Sequence, residues 1–350
     1  MRGMLSALVA IASCGAVLAP DAGRAQGGQP AVETVKVGVN KVISDIVFYI
    51  AEERGFFAEQ KLKVELIAFD SGPRMIAPLG AGQIDIGAGA SSAGLYNAFS
   101  RGIIVKIVAD KGSTPPGYDY MPLIVRKDLV DSGKVKTLAD LKGLKLAAAG
   151  PGSATNAKLD LALIKGGLHR GDVVEVNLNY PQQVTALASK AIDGSITTEP
   201  SASNAIASGV AVRFSDDSLY PGQQVAALLY GDALLTKRRD VGQRFMMAYV
   251  KAARIYNDAT RGGHFDGPGA DQVIDLIMKT TGLTDRAMFK SMVPNGISPN
   301  GEVNMASLAG DLSFFQAQGQ IEKPVSAVDV VDMSFAENAV KALGPYAPAH

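Results

Sequence analysis

Along the chain, apolar positions fall into short blocks whose period switches between two residues and roughly three and a half. Strand-like runs stand at "VKVGV" (35–39), "LKVELIAF" (62–69), "IDIGAG" (84–89) and "IIVKIVAD" (103–110). Between them, residues 45–58, 74–82 and 91–100 read as helices, the first with Ile46, Val47, Ile50 and Ala51 on one face. The same rhythm returns at "LKLAAA" (144–149), "VVEVNL" (173–178), "IDGSIT" (192–197) and "VAVRFS" (210–215), with helical stretches after Ser153, Pro181 and Pro200. Repeated strand–helix units predict parallel sheets covered by helices, so the expected fold is α/β with two lobes.

An internal echo supports two similar lobes. "LGAGQID" (79–85) and "LASKAID" (187–193) each lead into the third strand of a lobe, and that strand breaks at small or capping residues, "GASSAG" and "TEPSAS". Ligands of open α/β sheets bind beyond the carboxyl ends of the strands, so two facing lobes make a cleft lined from both sides. Two apolar segments, "YMPLIVRKD" (120–128) and "QQVAALLYG" (223–231), stand where the chain leaves the first lobe and returns to it. They are expected to pair as crossing strands and form a hinge. From Lys237 onward the pattern is mostly helical, with "VGQRFMMAYVKAARIYNDA" the clearest case, and is expected to pack back on the first lobe. The expected organisation is lobe 1 from residues 32–120 and 225–345, and lobe 2 from 121–224.

Composition narrows the function. The 350 residues are 47% hydrophobic and 19% charged, enough to bury a sizeable core. Basic and acidic residues balance at 34 each with no long run of either sign, which gives no electrostatic footprint for nucleic acid or an anionic membrane. The N-terminus has one Arg, an apolar run from Met4 to Leu18 and small residues up to Ala25, the layout of a secretory signal spanning 1–25. A competing detail is Ile11-Ala12-Ser13-Cys14, which resembles a lipobox; the apolar run continues past Cys14 to Leu18, which favours ordinary cleavage before Gln26. Cys14 is the only cysteine, so the mature chain has neither a disulfide framework nor a cysteine nucleophile. His169, His264 and His350 have no ligand spacing between them and read as surface residues. The turn "GPGSAT" lacks the lysine of a Walker loop and the third glycine of a dinucleotide fingerprint. No cofactor, metal or catalytic residue is expected.

As a set, "VGVNKVISDIVFYIAEERGFFAEQKLKVEL", "LGAGQIDIGAG", "LADLKGLKLAAAGPGSATN", "AIDGSITTEP" and "VDMSFAENAVKALG" resemble the periplasmic solute-binding proteins of ABC importers in the nitrate, taurine and alkanesulfonate family. The resemblance covers essentially the whole mature chain. It implies a type II periplasmic binding-protein fold with a two-strand hinge, closure on a small solute between the lobes, a periplasmic monomer, and delivery to an inner-membrane permease with its ATPase. The solute stays open among sulfonates, carboxylates, nitrate, zwitterions and pyrimidines, and the chain departs from members that use Trp in the pocket, because it has none. Two alternatives are an enzyme of the pyrimidine-precursor-synthesis type, whose iron motif needs cysteines the mature chain lacks, and a ligand-sensing module.

Candidate ligand-binding residues follow from strand ends and helix starts. Asn40, Ser44 and Asp45 follow the first strand, and Asp45 is also placed to cap the next helix. Ser91 and Ser92 hold the corresponding place later in lobe 1. Gly152, Ser153 and Thr155 open a helix after "LKLAAA", where a hydroxyl either caps the helix or faces the cleft. The resemblance implies the pocket role for Ser153. Arg74 could pair bidentately with a carboxylate or sulfonate. Glu199, beside Pro200, calls for a ligand or neighbour offering N–H or cationic groups.

Overall fold

A computed structural model describes residues 31–349; the expected signal segment 1–25, with Cys14, lies outside the described residues. The strands are β1 (Glu33–Val39), β2 (Leu62–Ala68), β3 (Ile86–Gly89), β4 (Val105–Ser113), β5 (Leu123–Arg126), β6 (Lys145–Ala148), β7 (Val174–Asn177), β8 (Gly194–Ile196), β9 (Ala211–Arg213) and β10 (Gln224–Gly231). The helices of the first half are α1 (Ile46–Glu53), α2 (Phe56–Glu59), α3 (Ile76–Gly80), α4 (Ala93–Ser100), α5 (Lys127–Asp131) and α6 (Ala154–Lys165). Those of the second half are α7 (Tyr180–Ala188), α8 (Ser201–Ala207), α9 (Arg239–Ala259), α10 (Ala270–Thr281), α11 (Arg286–Ser291), α12 (Met305–Ala317) and α13 (Ser334–Leu343).

Two five-stranded sheets carry the fold, with orders β2-β1-β3-β10-β4 and β7-β6-β8-β5-β9. Both have the same plan. Strands joined through helices run parallel, as right-handed crossovers favour, and one strand in each sheet, β10 or β5, runs against both of its neighbours. The α/β two-lobed architecture expected from the sequence is therefore present.

The expected pairing of the two hinge segments with each other is not. The apolar runs in 120–128 and 223–231 do not pair with each other, because β5 lies inside the second sheet and β10 inside the first. The reason is burial: every residue of β10 is buried, and a strand with no solvent-facing side belongs inside a sheet rather than across an open gap. The chain crosses between the sheets in the polar, Pro- and Gly-rich segments 114–122 and 214–223. These bond to each other at both ends. Gly222 N–H donates to Thr114 C=O at 2.8 Å and Thr114 N–H to Gln223 C=O at 3.0 Å, while Phe214 N–H donates to Leu123 C=O at 2.8 Å.

The C-terminal helices cover the first sheet, with α9 packed on α1, α2, β2 and α13. Phe48, Tyr230, Phe245, Tyr249 and Phe335 interlock their rings there, a dense aromatic core behind the first sheet. The covering is not confined to one lobe, because α11 touches α8 and α12 touches α6. The lobes meet directly across the cleft. Ile43 N–H donates to Glu199 C=O at 3.0 Å, Ala93 N–H to Gly152 C=O at 3.3 Å, and Asn179 Nδ2 to Asp70 Oδ1 at 3.1 Å.

Candidate ligand-binding site

The carboxyl end of β1 delivers Asn40 and Val42 to the cleft, and a single 3-10 turn, Ile43–Asp45, then feeds α1. Asp45 closes that turn by accepting the Val42 N–H on Oδ2 at 3.0 Å, the carboxylate half of a capping box. Its other oxygen, Oδ1, faces the ammonium of Lys111 at 2.8 Å in an ion pair outside hydrogen-bond alignment. Lys111 comes from β4, is 1% exposed, and also donates to Ser44 Oγ at 2.7 Å. A lysine is seldom buried to this degree without a partner, since removing an ion from water costs several kcal/mol. Ser44 and Asp45 supply the partner.

These groups line a small chamber between the lobes, a space of about 20 Å³ that has room for about one water molecule with the lobes in this position. From the first lobe, Asn40, Ser44 and Lys111 face it; from the second, Ser153, Tyr180 and Thr198 do; Tyr120 of the crossing segment closes one side. Burial pushes the Tyr120 hydroxyl far above its usual value, so it remains a protonated donor throughout the physiological range. Thr198 is 2% exposed and its buried Oγ1 has no hydrogen-bond partner in the protein. Groups of that kind are rare in folded proteins. The chamber can thus offer an ammonium, several hydroxyls and an amide to one small polar molecule.

Ser153 serves two purposes. It is the N-cap of α6, accepting the Asn156 N–H at 3.4 Å, it donates to Gly150 C=O at 2.6 Å, and it still lines the chamber. Thr155 does not line it; its Oγ1 accepts the Ala149 N–H at 3.0 Å and meets Ser153 Oγ at 2.8 Å, which fixes the turn. Gly152 has φ of 66° and presents its carbonyl to Ala93 across the cleft. A Cβ at Gly152 would lie 3.1 Å from Ala93 Cβ, so a glycine is needed where the lobes come this close.

The other candidates are employed elsewhere. Ser91 Oγ meets Tyr96 Oη at 3.1 Å inside lobe 1, and Ser92 caps α4 by accepting Leu95 N–H at 3.2 Å. Arg74 is exposed and lines neither the chamber nor its outer approach. Glu199, wholly buried, has the cationic and N–H partners expected of it, but both are protein groups: Arg213 Nη2 donates at 2.9 Å and Ser203 N–H at 2.8 Å. Burial pushes its carboxyl up to about 7 against the pull of the Arg213 guanidinium. Arg213 also reaches Asp119, which pairs with buried Lys158 at 2.5 Å, so a charged network links Glu199, β9, α6 and a crossing segment behind the chamber.

Sequence reasoning missed Lys111, Tyr120, Tyr180 and Thr198. A signal for Lys111 was present. The apolar run "IIVKIVAD" stops one residue short of Lys111, and a lysine at the carboxyl end of a sheet strand stands where α/β ligands bind. In fact β4 continues to Ser113, which carries Lys111 inward.

Residues 28–262 match the model of the NMT1-like family, about two thirds of the chain. The chain belongs to the NMT1-like family. Over 297 residues it is 23% identical to a protein of Brucella abortus (strain 2308) provisionally named a binding protein, covering 80% of this chain and 84% of that one. Its fold matches the alkanesulfonate-binding protein SsuA from Xanthomonas axonopodis pv. citri, solved with MOPS bound, at a TM-score of 0.68 with 20% identity, over 87% of this chain and 99% of that one. The desulfurization enzyme DszB shares the fold at a TM-score of 0.61 with 16% identity, over 89% of this chain and all of that one. This NMT1-like chain thus has the architecture of periplasmic solute-binding proteins, an architecture that enzymes also use. Among the described residues, no helix is long and apolar enough to cross a membrane.

Proposed function

We propose that the chain is the periplasmic solute-binding component of an ABC importer, closing its lobes on one small polar or anionic organic solute and presenting it to a membrane permease. The observation that supports this most is the small inter-lobe chamber between two similar sheets, with Lys111 beside Ser44 from one lobe and Ser153 and unpartnered Thr198 from the other. Polar groups from both lobes converging on one space are what lobe closure around a solute requires. An enzymatic role has less support. Among the described residues no cysteine or histidine lines the chamber, and its lysine is already engaged by Asp45 and Ser44.

The test is a thermal-shift and calorimetric screen of sulfonates, carboxylates, nitrate, amino-acid-like zwitterions and pyrimidines against the full mature chain. A true solute at a hundred times its dissociation constant should add about 2.7 kcal/mol of stability. It should bind one to one without turnover. Conversion of the bound compound into product would replace this reading with the enzymatic one.

A further inference from the structure

Arg213 ends β9, the edge strand of the second sheet, whose one neighbour there is β5. Its guanidinium reaches two segments with which β9 does not pair. Nη1 donates to Asp119 C=O at 2.8 Å and faces Asp119 Oδ2 at 3.5 Å, while Nη2 donates to Glu199 Oε1 at 2.9 Å. One planar fork therefore spans the crossing segment that precedes β5 and the segment that follows β8. A guanidinium suits this task because its donors are fixed in one plane, whereas an ammonium is a point charge.

Each residue held by the fork is the chain neighbour of a residue that lines the chamber: Asp119 precedes Tyr120, and Glu199 follows Thr198. The two segments are joined once more by Glu199 N–H, which donates to Tyr120 C=O at 3.0 Å. Both anchors are also secured from other elements, Asp119 by the Lys158 ammonium of α6 at 2.5 Å and Glu199 by the Ser203 N–H of α8 at 2.8 Å. The Thr198 hydroxyl has no hydrogen-bond partner in the protein, so its own side chain does not fix where it stands. Its place at the wall is set through the backbone it shares with Glu199. Arg213 itself does not line the chamber.

We propose that Arg213 is a positioning residue for solute binding: by clamping Asp119 and Glu199 it holds Tyr120 and Thr198 at the chamber wall in the arrangement that receives the solute. The inference rests on the solute-binding reading above and adds a residue that sets affinity without touching the solute. Asp119 lies in the outgoing crossing, and Arg213 directly precedes the returning one. The clamp thus ties both crossings where they enter the second lobe, so that this part of the wall keeps its shape as the lobes move. Charge-assisted bonds between buried or half-buried groups are the strong ones, which suits them to that role.

The experiment compares the full mature chain with Arg213→Lys, which keeps a cation beside Glu199 but loses the fork. Arg126→Lys is the control, since Arg126 of β5 makes a similar fork to Asp128 and Asp193 and does not line the chamber. The probe is whichever compound of the sulfonate, carboxylate, nitrate, zwitterion and pyrimidine panel binds the wild-type chain most tightly. Arg213→Lys should bind it roughly tenfold more weakly, as loss of a group that supports a binding residue from behind does. In the solute-free protein with methyl-labelled threonine, the Thr198 methyl resonance should shift and broaden. Arg126→Lys should keep both the affinity and that resonance. If Arg213→Lys does not fold, the double variant Arg213→Met with Glu199→Gln, which removes both charges together, is expected to show the same two changes. Wild-type affinity in the Arg213 variant, an unmoved Thr198 resonance, or equal losses in the Arg213 and Arg126 variants would each overturn the positioning role and leave the solute-binding reading intact. Failure of every compound of the panel to bind the wild-type chain would overturn both.

Discussion

Asp85 and Asp193 hold the same place in the two lobes. Each precedes the third strand and accepts a backbone N–H from the first strand, Lys36 at 2.8 Å and Lys145 at 2.9 Å, and each takes an arginine on its other oxygen, Arg238 and Arg126, both at 3.0 Å. The carboxylate therefore reinforces the first rung between the two strands, where Asp85 N–H also donates to Lys36 C=O at 2.9 Å and Asp193 N–H to Lys145 C=O at 2.8 Å. Asp85→Ala or Asp193→Ala should each cost about 0.5–1.5 kcal/mol, since a solvent-accessible N–H loses its acceptor and an arginine its partner. With no partner in common, the two costs should add in the double variant. Urea unfolding of the three proteins measures this. A double variant no less stable than either single one would show that the two sites are coupled.

That pair also explains what the sequence made legible. The echo "LGAGQID" and "LASKAID" ends in these two aspartates, and it marks a repeated structural device rather than chance. Local periodicity located all of the strands in both lobes because each is short, apolar and bounded by turns. It could not say which sheet takes β5 or β10, since membership is decided by long-range pairing that leaves no local trace. The site was half legible for the same reason. Asn40, Ser44 and Ser153 follow their strands at a helix start, where a general rule applies, whereas Tyr120 reaches the chamber from a crossing segment whose path only the assembled lobes define.

Lys111 and Asp45 should be strongly coupled. Lys111→Met leaves a buried carboxylate without its cation and should cost roughly 3–5 kcal/mol of stability, while the double variant Lys111→Met with Asp45→Asn should recover much of it. Asp45→Asn alone frees the ammonium from its internal partner. It should raise affinity for anionic heads relative to neutral ones. Calorimetry of one anionic and one neutral solute against wild type and Asp45→Asn checks this, and an unchanged ratio would mean that the head does not meet Lys111.

Mild acid should stabilise the protein. Burial pushes Asp311 up to about 7, with only the Tyr220 hydroxyl at 2.7 Å and Gln223 pulling it back, and burial pushes Asp110 up to about 6 against N–H donors from Ser298, Gln224 and Gly112. Both bind a proton more tightly folded than unfolded, where a carboxyl titrates near 3.9. Their contribution is complete below about pH 4 and is lost as pH rises through about 6 to 7. Exposed Asp128, held down to about 2 by its hydrogen bond from Arg126, acts in the opposite sense and only below about pH 4. The melting temperature should therefore be higher at pH 5 than at pH 8, and Asp311→Asn should flatten the difference. A melting temperature that climbs from pH 5 to pH 8 would contradict this.

Gly152→Val should impede closure. The backbone there has φ of 66°, unfavourable by roughly 1–2 kcal/mol for a side-chain-bearing residue, and the new side chain would press on Ala93 of the opposite lobe. Small-angle scattering at saturating solute should give a larger radius of gyration than wild type, and affinity should fall roughly tenfold or more, the equivalent of about 1.4 kcal/mol of closure free energy. Wild-type compaction in this variant would place the closing contact elsewhere.

Ser153→Ala separates the two duties of one hydroxyl. As the N-cap of α6 it has a long bond to Asn156 N–H, 3.4 Å, so its loss should cost about 1 kcal/mol or less of stability in the solute-free protein. The shorter bond, 2.6 Å to Gly150 C=O, consumes the hydroxyl proton, so in this geometry Ser153 meets a solute through its lone pairs. That makes it an acceptor for a donor on the solute head, whereas an anionic head would require the hydroxyl to rotate and abandon Gly150. A solute with an N–H or O–H donor should lose about tenfold in affinity on Ser153→Ala, and a bare anion should lose less. Calorimetry with one solute of each kind, alongside unfolding of the solute-free variant, distinguishes the outcomes. Equal losses for both kinds would show that the hydroxyl turns towards the solute, and no loss for either would leave Ser153 as a helix cap alone.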